Sequence, residues 1–522
     1  MHRKLLAAAA AAAAVPFAVC AAGAPLVATE GGTLQGFTKF VPGTTDQVEV
    51  FLGVPYAAAP VGDLRWQDAQ PVKPWQGVKS ADVAPQPCKQ PGLGSEDCLY
   101  VNVYRPAGVS KDAALPVGVY AHGGANVFGN ATVQDGARLA AEQNIIVVTI
   151  QYRMGAFGFL SLPGMGESAG NFGIGDTQAA LAWVRRNAQA FGGNAKNVTL
   201  MTESAGSTNA CRILVDPKSK GLVDGVILQS EDCIHDVDTP EQAKVRAQKF
   251  LAAAGCADAP DALACVKKLS SDKLAVASAA CGLWQPVSAV PAVKAIADGN
   301  WIKVPVLSGS NKEEGRSAGA AYVGWKAADY KAWVERLVGP DNAVEALKRY
   351  PVDKHQGKYA LEYVIGDFIT DSGMRGLGGC TNLTLAEALA KTGTTAPYIY
   401  TFEDSTVPTN SRYPDYDNAA SHAAELTYFF PDAGSHRALA LRMTPAQQAL
   451  AKEMRTYWAN FIKHQNPNGQ GLPLWKPFEG DGALMALRLD GQSRTEPASY
   501  FAKQHQCEFW NAVPVVLDRG DR

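Results

Sequence analysis

A serine set between small residues at the end of an apolar run can serve as a nucleophile, and the segment VTLMTESAG (198–206) has that form. The apolar run reads as a strand, the residues after Gly206 are compatible with a helix, and a tight turn between them projects Ser204 above the sheet. The usual pattern is GxSxG. Here Thr202 stands in place of the first glycine, where a small residue lets strand and helix approach, so Thr202 is expected to crowd the turn without removing a reacting group. Upstream, HGGA (122–125) also follows an apolar run. Small residues there allow backbone N–H groups to point at a developing oxyanion. Together the two motifs imply hydrolysis of an ester or amide. Such a serine needs a base and an orienting acid, expected in the order Ser, Asp/Glu, His. A carboxylate in NKEEG (311–315), just after the apolar run 304–308, suits the acid; for the base, His355, His422, His436, His464 and His505 all lie downstream and spacing does not choose among them.

These groups need a scaffold, and the chain between Leu115 and Leu228 supplies its pattern. Apolar runs at 115–120, 145–152, 198–202 and 225–230 read as strands, and 176–187 reads as a helix with Ala179, Ala180, Leu181, Trp183 and Val184 toward a sheet. Alternating strands and helices mean right-handed βαβ crossovers and a mostly parallel sheet, with the chemistry at the carboxyl ends of the strands. Residues 235–300 and 322–395 carry helical patterns and read as insertions around the site. No repeat or low-complexity linker interrupts 23–522, which reads as one elaborated catalytic domain.

The whole chain of 522 residues holds 50 acidic and 48 basic side chains, so no basic surplus exists for nucleic acid. Hydrophobic residues make up 47%, enough for a large core. Residues 1–22 read as a signal peptide: a basic start with Arg3 and Lys4, an alanine-rich apolar run from Leu5 to Cys20, and small residues at 20–24. Their removal lowers the formal net charge of −2 by two more. No later apolar run is long enough to span a membrane, so a secreted or periplasmic protein is expected, in an oxidising compartment where paired cysteines persist. Cys88 with Cys98, and Cys256 with Cys265, would close small loops; the absence of CxxC pairs and histidine clusters argues against zinc.

The ordered segments FLGVPYAAAPVGDLRW (51–66), SEDCLYVNVYRP (95–106), HGGANVFGN (122–130), YRMGAFGFLS (152–161), GNFGIGDTQAALAWVRRNAQAFGG (170–193), ILQS (227–230), GSNKEEG (309–315), SHAAEL (421–426) and CEFWN (507–511) resemble the type-B carboxylesterase/cholinesterase family. In character the chain is nearest the bacterial carboxylesterases and para-nitrobenzyl esterases of that family. The resemblance implies an α/β-hydrolase fold and a carboxylic-ester hydrolase without metal or organic cofactor, acting on a small-molecule ester. It selects Ser204 as nucleophile, Glu314 as acid and His422 as base, with the backbone N–H groups of Gly124, Ala125 and Ala205 as oxyanion donors. It places Glu203, Ser230 and Glu425 in a supporting polar network. It also implies the disulfides Cys88–Cys98, Cys256–Cys265 and Cys380–Cys507. A further bridge Cys211–Cys233 would leave Cys281 free.

Departures from the family pattern bear on substrate. Glu231 stands where glycine usually follows Ser230, and Asp-Gly is missing after Pro286-Val287. The Cys88–Cys98 loop, KQPGLGSED, carries no aromatic residue, so it offers no cation–π site for a quaternary ammonium. Two other readings of the scaffold stay open: a non-catalytic binding protein, and an amidase or lactone hydrolase.

Overall fold

The computed structural model describes residues 23–513 other than 481, and the backbone alone of Arg375. The signal-peptide reading of 1–22 lies outside the described residues.

An eleven-stranded sheet organises the chain. In chain order its strands are β1 (Phe37–Phe40), β2 (Gln47–Pro55), β3 (Tyr100–Pro106), β4 (Leu115–Ala121), β5 (Ile146–Ile150), β6 (Gly193–Glu203), β7 (Gly225–Gln229), β8 (Val306–Asn311), β9 (Tyr398–Phe402), β10 (Ala483–Leu487) and β11 (Arg494–Pro497). Their spatial order is β11-β10-β9-β8-β7-β6-β4-β5-β3-β2-β1. From β10 across to β5 all neighbours are parallel, while β11 and the β3–β2–β1 edge run antiparallel. This is the expected α/β arrangement. A separate three-stranded sheet forms from Leu26–Thr29, Gly32–Gln35 and Val78–Ser80.

Parallel strands need both faces covered, and the residues alternate accordingly. On β4, Val117 and Val119 join one apolar cluster and Tyr120 the other; on β7, Val226 and Leu228 oppose Ile227. Helix α1 (Phe172–Asn187) covers the first face with Leu181, Trp183 and Val184. It begins four residues before the sequence pattern suggested, because Gly173 and Gly175 hide helical periodicity at its buried start. Helix α2 (Ala205–Val215) packs on the same face, and α3 (Pro445–His464) covers the other with Trp458, Phe461 and Ile462. The segments 235–300 and 322–395 are helical, as their pattern implied. Part of the second builds its own aromatic cluster around Trp333, Phe368 and Trp510, tied by Cys380–Cys507.

Four disulfides are present: Cys88–Cys98, Cys211–Cys233, Cys256–Cys265 and Cys380–Cys507. Cys281 is a buried free thiol.

Candidate active site

Ser204 follows β6 directly and serves as the residue before α2, with φ 54° and ψ −125°. A side chain is held in this strained region only when its surroundings over-determine it. Here the Ser204 N–H donates to the Gln229 carbonyl at 2.9 Å, which joins the turn to β7. Gly206 is required by the close approach: a Cβ there would stand 2.3 Å from the Ala121 carbonyl oxygen. Thr202 does not crowd the turn as expected. Its hydroxyl lies 2.9 Å from Ser207 Oγ and donates to the Ile227 carbonyl at 2.8 Å, so the larger residue is absorbed as a buried polar clip between β6, β7 and α2.

Sheet register then sets the neighbouring groups. Gln229 pairs with Glu203 on one side and Gly309 on the other, so Ser204 and Ser230 leave the sheet at one level, and β8 runs two residues further, to Asn311. Glu314 lies three residues past β8 and is fully buried. Its Oε1 accepts from Ser230 Oγ at 2.6 Å and from the Asn311 N–H at 2.7 Å; its Oε2 lies 2.7 Å from His422 Nδ1. His422 Nε2 lies 2.8 Å from Ser204 Oγ. Of the five downstream histidines, His355 and His505 also sit against carboxylates, those of Asp367 and Asp371, both at 2.7 Å. A carboxylate partner therefore does not set His422 apart from these; its contact with Ser204 does.

Glu203 and Glu425 flank this chain of contacts. Glu203 Oε1 is 3.3 Å from His422 Nε2. Glu425 accepts from Gln229 Nε2 at 3.0 Å and from Asn311 Nδ2 at 2.6 Å. Burial pushes the Glu203 carboxyl up to about 8 against the pull of His422, with Glu425 and Glu314 adding to the rise. Burial lowers the basicity of His422, but Glu203, Glu314 and Glu425 more than reverse this and hold it well above the ordinary histidine value.

The loop after β4 carries Gly124 and Ala125, and it is shaped by three consecutive left-handed residues, Gly124 (φ 108°), Ala125 (φ 58°) and Asn126 (φ 55°). No side chain fits at Gly124, where a Cβ would fall 1.8 Å from the Phe128 carbonyl oxygen. Ala205 is the first residue of α2, so its N–H has no acceptor within the helix. All three border the same cavity of about 630 Å³ as Ser204 and His422.

Side chains not singled out from the sequence hold this loop. Asn126 and Asn209 of α2 form a reciprocal amide pair: each Nδ2 donates to the other's Oδ1, at 3.3 and 3.0 Å. Asn126 Nδ2 also donates to the Trp284 carbonyl at 3.1 Å. From the Cys88–Cys98 loop, Gln90 donates to the Gly129 carbonyl at 2.9 Å and accepts from its N–H at 3.1 Å. The one available sequence signal was an asparagine inside a quoted motif, HGGANVFGN; its partner is 83 residues away.

The sequence profile of the Carboxylesterase family matches residues 23–510. The chain is 29% identical to human cocaine esterase over 94% of its own length and 92% of the relative's. It is 30% identical to mouse acylcarnitine hydrolase, over 93% and 90%. A solved PNB esterase structure superposes with TM-score 0.73 at 29% identity, covering 92% of this chain and 99% of that one.

Proposed function

The chain belongs to the carboxylesterase family and is an ester hydrolase; we propose that it works through an acyl-enzyme on Ser204, with His422 as base and Glu314 as orienting acid. What supports this reading is one unbroken chain of contacts, Ser204 Oγ to His422 Nε2 at 2.8 Å and His422 Nδ1 to Glu314 Oε2 at 2.7 Å.

In this mechanism His422 takes the Ser204 proton as the oxygen attacks the ester carbonyl. Glu314 keeps the imidazole in the tautomer that presents a bare Nε2 and stabilises the imidazolium that forms. The N–H groups of Gly124, Ala125 and Ala205 receive the oxyanion, each worth roughly a hundred- to a thousandfold in rate. His422 returns its proton to the leaving alcohol, and water then repeats the sequence on the acyl-enzyme. Ser230 and Glu425 orient Glu314 and the strand-end amides, and Glu203 adjusts the basicity of His422.

We propose export as the setting. Four disulfides fit an oxidising compartment, and no helix among the described residues is long and apolar enough to cross a membrane.

Fluorophosphonate labelling followed by peptide mass spectrometry tests the mechanism. The adduct is expected on Ser204. An unlabelled Ser204 in folded protein would revive the non-catalytic reading, and an adduct elsewhere would move the nucleophile. Hydrolysis of amides or lactones in preference to matched esters would instead displace the ester as substrate.

A further inference from the structure

Glu231 borders the same cavity as Ser204, yet the acyl-transfer chemistry gives it no task. It is 5% exposed and tightly held. Its Oε2 accepts from Thr208 Oγ1 at 2.6 Å, and its Oε1 accepts from the N–H groups of Asp232 and Cys233 at 3.1 and 3.2 Å. The segment is fastened to α2 by Cys211–Cys233 and turns through left-handed residues at Ser230 and Cys233. A carboxyl group fixed this firmly in a cavity wall is part of the wall's chemistry.

Its position identifies the part of the substrate it meets. His422 must reach the leaving oxygen, so the alcohol portion lies beside His422 with Ala423 and Leu426. An acyl portion turned away from His422 meets the rest of the cavity wall, which includes Thr208, Glu231, Leu283, Trp284 and Leu377. Thr208 Oγ1 is 3.5 Å from the Ser204 carbonyl oxygen as well as 2.6 Å from Glu231, so the carboxyl group lies within two hydrogen-bond lengths of the nucleophile's own backbone. A group a few bonds from the ester carbonyl can reach it.

We propose that Glu231 selects esters of short hydroxy acids, accepting a hydrogen bond from a hydroxyl on the acyl chain while Leu283, Trp284 and Leu377 enclose its carbon skeleton. Oε1 fills both of its lone-pair sites with the two N–H groups, while Oε2, which accepts from Thr208, keeps capacity for one more donor. Burial and the neighbouring Asp232 raise the Glu231 carboxyl well above its ordinary range against the pull of Thr208. A hydroxyl is matched in either protonation state, because it both donates and accepts. A carboxylate on the acyl chain is repelled by the ionised form, and a plain alkyl chain leaves the remaining site of Oε2 without a donor.

This inference rests on Ser204 being the acylated residue, and its test separates the two. The enzyme is assayed by pH-stat on ethyl 3-hydroxybutyrate and ethyl butyrate. The expected kcat/KM ratio is about tenfold or more in favour of the hydroxy ester, since a site built to pair a hydroxyl rejects the analogue lacking it. Glu231→Leu puts an apolar side chain in place of the carboxyl group, and should bring the ratio to near one. Glu231→Met keeps an unbranched side chain of similar length with no hydrogen-bonding oxygen and should lower the ratio too; it carries the test should the leucine variant fail to label with fluorophosphonate. A wild-type ratio of one or less, or a ratio unmoved in a variant that still labels, overturns the role of Glu231 and leaves the esterase mechanism standing. Failure of the wild-type protein both to hydrolyse the two esters and to label at Ser204 overturns the mechanism and this inference together.

Discussion

The two halves of the catalytic cleft reach the same rigidity by different means. Ser204, Ser230 and Glu314 leave the ends of adjacent parallel strands, where the register of β6, β7 and β8 sets their heights before any side chain acts. The loop of Gly124 and Ala125 has no such frame. Three successive left-handed residues shape it, and amide side chains from distant segments hold it: Asn126 with Asn209, and Gln90 on Gly129. The difference teaches where the molecule is vulnerable. Strand-end groups share a cooperative scaffold, whereas the loop depends on a few contacts that single substitutions remove.

The most severe way to break the comparison is at the strand ends. Ser204→Ala should lower kcat for p-nitrophenyl acetate by roughly a millionfold, as loss of a triad nucleophile does elsewhere, with the thermal midpoint unchanged. More than a trace of turnover in pure variant would remove Ser204 from its role.

On the loop side, Asn126→Ala should reduce kcat by about a hundred- to a thousandfold, the scale of a lost oxyanion donor, with little change in KM because the interaction is made in the transition state. Asn126→Gly relieves the left-handed backbone and still lacks the amide. If it restores kcat, backbone strain rather than the amide pair governs the loop.

The charge around His422 sets a third expectation. In the proposed mechanism activity needs neutral His422, and the carboxylates favour its protonated form, so kcat/KM should fall as pH drops through a value above 6.5, the reference for histidine. Glu203→Gln removes one of those carboxylates and should move this acid limb to lower pH. An unmoved limb would mean that Glu203 does not bear on the base.

The smallest effect is expected at Thr202. Thr202→Gly removes two buried hydroxyl contacts and should cost about 1–2 kcal/mol in urea unfolding, with kcat little changed. A large loss of kcat would show that the clip also positions Ser204.

Much of the strand-end half is legible along the chain. The run before Ser204, the glycines after His122 and the carboxylates before Gly315 are local signals, since each depends on a strand followed directly by a turn. The base is not legible that way. His355, His422 and His505 all sit against carboxylates, and the choice came from resemblance to a family rather than from spacing. The role of Thr202 is not legible, because a side chain's volume is visible in sequence and its hydrogen-bond partners are not.

By itself the sequence determined the parallel α/β scaffold, the order of the reacting groups and the near-balance of charge. These follow from periodicity, turn chemistry and composition, all short-range or summed properties. Only the tertiary structure decided which histidine meets Ser204, which amides hold the loop of Gly124 and Ala125, and that Glu231 faces the cavity beside Thr208. Those are contacts between residues 218, 83 and 23 positions apart, and such pairings exist only once the sheet register and the packing of α2 have brought the segments together.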